Sequence, residues 1–441
     1  MAGSLPLETL QHIFSYQTSR LTPCTCVCRQ WQVAAERFTF ADLHINSADL
    51  DDFRRILPLS NSAGRRFHLR SLYFKIILPE YSVAARGHYE TQDDRDGNNK
   101  VFTQAITSLF EILSSWPKYD CYMSLQIYAR SPSDWQAEPD WTIRRTRQER
   151  GYAFPEEELL QRRYQDSYLQ LMGKTGLPDV KCITSLDVSG CENFRNIAPG
   201  AVSKITVHLP RLQTITARLC DKVRNDTEMC DGLGDFPTVA ASWPSSLRHL
   251  QLRYEPRYDE DYIPHSTPGP NFRSLALHQM TQQLESVDLS ETMIGPELFW
   301  PVDANNTTPF WPNLIQITIR YSNAPASWDD SVEPPDDQQE SPFKSKYLDE
   351  LSLAAGRAAQ HMPRLNSMEI GIGSSSTPAS HYYFTYDAIL GEAIWAISSE
   401  FYVSKKAQQA WDVAAKRHGT AMPSVVVCAM DTHSSNSSLS A

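Results

Sequence analysis

Three cysteines, Cys24, Cys26 and Cys28, stand at alternate positions near the N-terminus, and clustered thiols are the first residues to test for metal or redox chemistry. Zinc sites use wider gaps between Cys ligands, with Cys or His partners at set offsets. The one-residue gaps here lack such partners, so small thiols beside a helix are expected and no metal ligand. Gly173-Lys174-Thr175 has the last letters of a phosphate-cradling loop, but Tyr168 stands where that loop needs glycine. Asp94-x-Asp96-Gly97 misplaces the glycine of a calcium loop and lacks its closing glutamate. His208, His249 and His278 have no partner spacing, and no GxSxG, HExxH or GxGxxG string occurs. The expectation is no catalytic residue, no cofactor and no enzyme, although a site assembled from distant residues stays open.

Recognition chemistry is better represented. Windows of the form apolar-x-x-apolar-x-apolar recur at Leu69/Leu72/Phe74, Tyr122/Leu125/Ile127, Ile183/Leu186/Val188 and Leu212/Ile215/Ala217. They continue at Leu247/Leu250/Leu252, Leu284/Val287/Leu289, Leu314/Ile317/Ile319 and Leu365/Met368/Ile370. Alternation at the end of each window predicts a short strand with one buried face. If the strands lie parallel, outward residues form rows. The first row is Tyr73, Gln126, Asp187, Thr216, Gln251, Asp288, Thr318 and Glu369. The second contains Lys75, Arg218, Arg253 and Arg320, a cationic array suited to carboxylate or phosphate on a protein partner. The same arginines could instead neutralise Asp187, Asp288 and Glu369 in the neighbouring row.

The 441 residues carry 41 Lys+Arg against 52 Asp+Glu, a formal charge of -11. That balance argues against a sequence-independent grip on nucleic acid, which requires clustered positive charge. No run approaches the roughly 18 apolar residues of a membrane span, and the N-terminus lacks the pattern of a secretory signal. Nine cysteines, an odd count without an export signal, are expected as free thiols in a reducing compartment, cytoplasm or nucleus.

At the N-terminus, Leu7, Leu10, Ile13 and Phe14 recur at helical spacing, and Pro6 suits a first helical turn. After Thr22-Pro23 a second helix is expected, with Val27, Trp31 and Ala34 on one side. Two or three short helices can barely form a core alone, so apolar surface should be left for a partner or for the rest of the chain.

The string Leu5-Pro6-Leu7-Glu8-x-Leu10-x-x-Ile13-Phe14-Ser15-Tyr16 followed by Val27-Cys28-Arg29-Gln30-Trp31 closely resembles the F-box. The resemblance implies a small helical module that docks on the adaptor Skp1 and, through it, on a cullin-RING ubiquitin ligase. By that match Leu5, Pro6, Leu10, Ile13, Phe14, Val27 and Trp31 form the docking surface and its supporting core. The windows downstream resemble an irregular leucine-rich-repeat array, so the whole is similar to fungal-type F-box proteins with such a domain.

The expected fold is α/β: a helical F-box (1–40), then a leucine-rich-repeat-like solenoid with a parallel concave sheet (41–380). Polar insertions are expected at about 86–100, 255–270 and 321–345. Helical spacing over Asp387–Ser398 and Ser404–Arg417 predicts a two-helix C-terminal cap (381–427), because terminal repeats need covering; residues 428–441 read as a tail. The resemblance implies a substrate-recognition subunit of a Skp1–cullin–F-box ligase whose protein substrate carries an acidic or phosphorylated segment, with neither nucleic acid nor membrane as partner. An adaptor-binding scaffold outside an active ligase is the alternative.

Overall fold

The structure, a computed structural model, describes residues 5–16, 21–57, 63–116, 122–135, 155–164, 167–173, 176–189, 195–223, 243–258, 272–292, 294–301, 308–321, 342–373, 381–397, 402–419 and 424–429. The chain forms two compact units, Met1–Thr216 and Ala217–Ala441.

The first unit opens with α1 (Leu7–Ser15), a 3-10 turn over Thr22–Cys26 and α2 (Arg29–Thr39). Strand and helix then alternate: β1 (Asp42–Asn46), α3 (Leu50–Ile56), α4 (Ala63–His68), β2 (Ser71–Ile77), α5 (Gln92–Ser114) and β3 (Met123–Arg130). They continue through α6 (Pro155–Tyr164), β4 (Ile183–Val188) and α7 (Pro199–Val207) to β5 (Thr214–Val223), whose residues from Ala217 on belong to the second unit. Strands β1, β2, β3 and β4 pair in that order, all parallel. Leu72, Phe74 and Ile76 of β2 are buried on one side, and the long helix α5 packs against the strand with Phe102, Ile106, Leu109 and Phe110 buried. Burial of such alternating side chains is the main favourable term here.

A buried polar cluster joins the loops of this unit. Glu90 and Arg195, both about 1% exposed as side chains, form an ion pair. Asn98 Nδ2 donates to Glu90 at 2.7 Å, and the Ser167 hydroxyl donates to its other oxygen. Beside them the Tyr81 and Tyr164 hydroxyls both donate to Asp134 Oδ1, at 2.5 and 2.7 Å. Burial, together with Asp134, pushes both phenols well above their usual range.

The second unit contains β6 (His249–Tyr258), α8 (Phe272–Thr281), β7 (Ser286–Ser290), β8 (Gln316–Tyr321), α9 (Pro342–Ala359) and β9 (Ser367–Gly373). It closes with β10 (His381–Asp387), β11 (Glu392–Ile397), α10 (Lys405–Arg417) and β12 (Ser424–Ala429). Strands β6 to β9 pair in order and parallel, and β11 pairs β12 parallel. Its core includes Trp395 and Trp411, with Phe384 about equidistant from both at 4.7 and 4.5 Å. Helices α9 and α10 meet at Gly356, where a β-carbon would stand 3.0 Å from Ala410 Cβ and from Trp411 Cδ1.

Four expectations change. The sheet is not parallel throughout: β10 runs antiparallel to both β9 and β11. The helix expected over Asp387–Ser398 is instead the β10–β11 hairpin, turned by Gly391 at φ 68° and by Asp387 Oδ1, which accepts from the Ile389 and Leu390 amides. The cap therefore contains one of its two expected helices, α10. The polar stretch 86–100 is a loop only to Thr91; from Gln92 it is the start of α5, capped reciprocally by Thr91 and Asp94. Cys428 and Ala429, placed in the expected tail, belong to β12. The insertion 255–270 is β6 to Tyr258 and then lies outside the described residues; of the insertion 321–345, Tyr321 ends β8, 342–345 already belong to α9, and 322–341 lies outside the described residues.

Candidate functional site

Two apolar stripes run along α1. Leu7, Leu10 and Phe14 face inward; Leu10 and Phe14 are 1% and 3% exposed and form a core with Ala34 and Ala35 of α2. Leu21, Cys24, Trp31 and Phe38 pack against it, with the Phe14 and Trp31 rings edge-to-face at 5.4 Å. The opposite stripe stays open: Ile13 is 43% exposed and Tyr16 is 74% exposed. Leu5, Val27 and Val33 are also exposed, and so is Pro6.

Gln30 Nε2 donates to the Leu5 carbonyl at 2.7 Å, and Arg37 donates to Gln11 at 3.2 Å. These bonds fix the entry segment and α1 on α2. Glu36 of α2 accepts twice from Arg65 of α4, at 3.1 and 2.6 Å. Burial pushes the Glu36 carboxyl up, but the bonds from Arg65 and Gln32 outweigh it and hold it below the usual range. The helices are thus anchored to their own unit by one side while Leu5, Ile13, Tyr16, Val27 and Val33 remain exposed.

The seven residues implied by the motif therefore divide. Leu10, Phe14 and the half-buried Trp31 build the core; Leu5, Pro6, Ile13 and Val27 are exposed. Tyr16 and Val33 are exposed apolar residues outside those seven; Tyr16 caps α1 three residues after Ile13, a helical spacing that could have pointed to it.

On the strands, pairing aligns Tyr73 with Gln126 and Asp187 in the first unit, and Lys75 with Tyr128. His44 of β1 joins that row, its ring stacked on Tyr73 at 4.2 Å. In the second unit Gln251, Asp288, Thr318 and Glu369 align, and so do Arg253, Ser290, Arg320 and Gly371. Arg253 and Arg320 thus share one row two strand spacings apart, roughly 10 Å. Lys75 is half-buried on β2 of the first unit and Arg218 half-buried on β5.

Arg320 donates to Glu369 at 3.1 Å. That bond holds the guanidinium pKa above its ordinary value against a small effect of burial. The Tyr383 ring of β10 lies over Gly371, where a β-carbon would stand 3.4 Å from it. Its phenol is pushed up by burial and by Glu369.

Among the described residues no group of three or more His, Cys, Asp and Glu could hold a metal ion, and no helix is long and apolar enough to cross a membrane. Among curated proteins, none matches the chain. Residues 242–438 match a family of unknown function, DUF6546, rather than leucine-rich repeats or a fungal-type family. Residues 2–41 match the F-box-like family, so α1, the 3-10 turn and α2 constitute an F-box-like domain.

Proposed function

We propose that the chain is a substrate-recognition subunit of a Skp1–cullin–F-box ubiquitin ligase, acting in the cytoplasm or nucleus, with catalysis residing in other subunits. The observation that carries this reading is the F-box-like domain with Leu5, Ile13, Tyr16, Val27 and Val33 left open to solvent. F-box domains in general bind Skp1, and an exposed apolar patch on a charged protein marks an interface. The chain then acts by proximity, raising the effective concentration of a bound protein near the ubiquitin-loaded enzyme.

In this reading the strand and helix alternation of each unit serves as an irregular leucine-rich-repeat-like scaffold, and the row holding Arg253 and Arg320 in the second unit receives an acidic or phosphorylated segment of the substrate. The partner would have to displace Glu369 from Arg320. Co-purification tests the ligase half: the tagged full chain should bring down adaptor and cullin together, and Ile13→Asp should lose both. Recovery of the adaptor without cullin would point to a scaffold outside an active ligase.

A further inference from the structure

The connection between α1 and α2 carries three thiols in the five residues from Cys24 to Cys28. Cys24 is half-buried and packs on the core of the F-box-like domain, whereas Cys26 and Cys28 are exposed. Between those two stands Val27, 60% exposed and thus among the most open apolar side chains of the domain. Backbone conformation presents the group outward: the 3-10 turn ends at Cys26, Val27 caps it, and Cys28 is extended at φ -161° before α2 begins. Two accessible sulfurs therefore bracket a side chain of the proposed docking surface, where even a small adduct would meet the partner.

We propose that Cys26 and Cys28 form a modification site at which thiol–disulfide exchange with a low-molecular-weight disulfide switches off docking; this rests on the adaptor-binding reading above. In the exchange, a cysteine gives up its proton and its sulfur attacks one sulfur of the small disulfide. The new S–S bond forms as the old one breaks. The departing half leaves as a thiolate and takes up the released proton, so the protein sulfur is oxidised, half of the small disulfide is reduced, and no other oxidant is involved. A peptide-sized polar adduct beside Val27 places charge and bulk against an apolar face and excludes the partner.

The test treats the full chain with oxidised glutathione, removes excess reagent, and measures capture of purified Skp1-type adaptor, with peptide mass spectrometry locating the adduct. The expected results are an adduct on Cys26 or Cys28, capture weakened roughly tenfold or more, as for loss of an interface hot spot, and full recovery with dithiothreitol. Cys26→Ser/Cys28→Ser should capture normally and resist the treatment. Cys428→Ser, which removes an exposed thiol of β12, should leave the switch intact. Absence of the adduct, undiminished capture by the modified chain, or equal inhibition of the double variant would each overturn the proposal. Reduced, unmodified chain that fails to capture adaptor would instead refute the ligase reading, and the switch with it.

Discussion

Replacing Arg195 by methionine removes one half of a buried ion pair and leaves the Glu90 carboxylate inside the first unit. Both side chains are about 1% exposed, so water cannot take over the lost partner. Removing one member of such a pair costs about 3–5 kcal/mol. Glu90 retains two donors, Asn98 Nδ2 at 2.7 Å and the Ser167 hydroxyl, which places the expected cost near 3 rather than 5. With a urea dependence of about 1–3 kcal/mol per molar, the midpoint of the first unit should fall by roughly 2 M. Glu90→Gln/Arg195→Met, which removes both charges of the pair, should recover most of the loss. Urea titration read by limited proteolysis of residues before 216 follows the unit selectively. A deficit below about 1 kcal/mol for Arg195→Met, or a double variant no better than the single, would refute this account of the cluster.

Two further outcomes concern the second unit. Gly356→Val should destabilise it by about 1–3 kcal/mol through overpacking, because the added carbons enter space held by Ala410 and Trp411; differential scanning calorimetry against Gly97→Ala, where a β-carbon meets nothing within 4 Å, is the check. His278 is buried, and that burial lowers its pKa from the usual 6.5 despite the bond to the Leu298 carbonyl, which opposes the shift. Its Nδ1 lies 2.9 Å from that carbonyl, so Nδ1 donates and Nε2 accepts from Gln282 at 2.8 Å. A lowered folded pKa gives stability that is present above the unfolded value and lost as pH falls through it. Unfolding measured from pH 8 to 5 should show that loss beginning near 6.5. His278→Gln should reduce its slope without abolishing it, since His361 and His418 are shifted in the same direction.

Period-two alternation made the strands legible. From Leu72/Phe74 to Met368/Ile370 the apolar pairs of the eight windows are buried, and the register aligns the outward rows within each unit as the spacing implied. Helical spacing misled where two periods overlap. Ile389, Ile394 and Ile397 fit a helical spacing, but Ala393, Trp395 and Ile397 are the buried set and Ile389 is 79% exposed at the hairpin turn.

Composition misled over 92–100. Asn98 and Asn99 look like loop residues, yet both are buried: Asn98 bonds Glu90, and Asn99 accepts from the Gln170 amide at 2.9 Å. Their partners lie up to 71 residues away, and no local pattern encodes that pairing. The same holds for Arg195 and Glu90, 105 residues apart. The F-box motif identified the helices but could not sort its own residues, since Leu10 and Ile13 are both apolar and differ only in which side of α1 meets α2. On the strands, the spacing placed Arg320 beside the acidic row, and only the structure shows that it pairs with Glu369 at 3.1 Å.

The central claim is that the F-box-like domain leaves an open face made for the adaptor. Its most direct test is calorimetric titration of reduced full-length chain with purified Skp1-type adaptor, for the wild type and for Ile13→Asp and Val27→Asp. Both substitutions alter exposed side chains, so circular dichroism should be unchanged. The account predicts saturable one-to-one binding by the wild type, weakened at least about tenfold by either substitution. Absence of binding by the folded wild type, or equal affinity in all three, would contradict it.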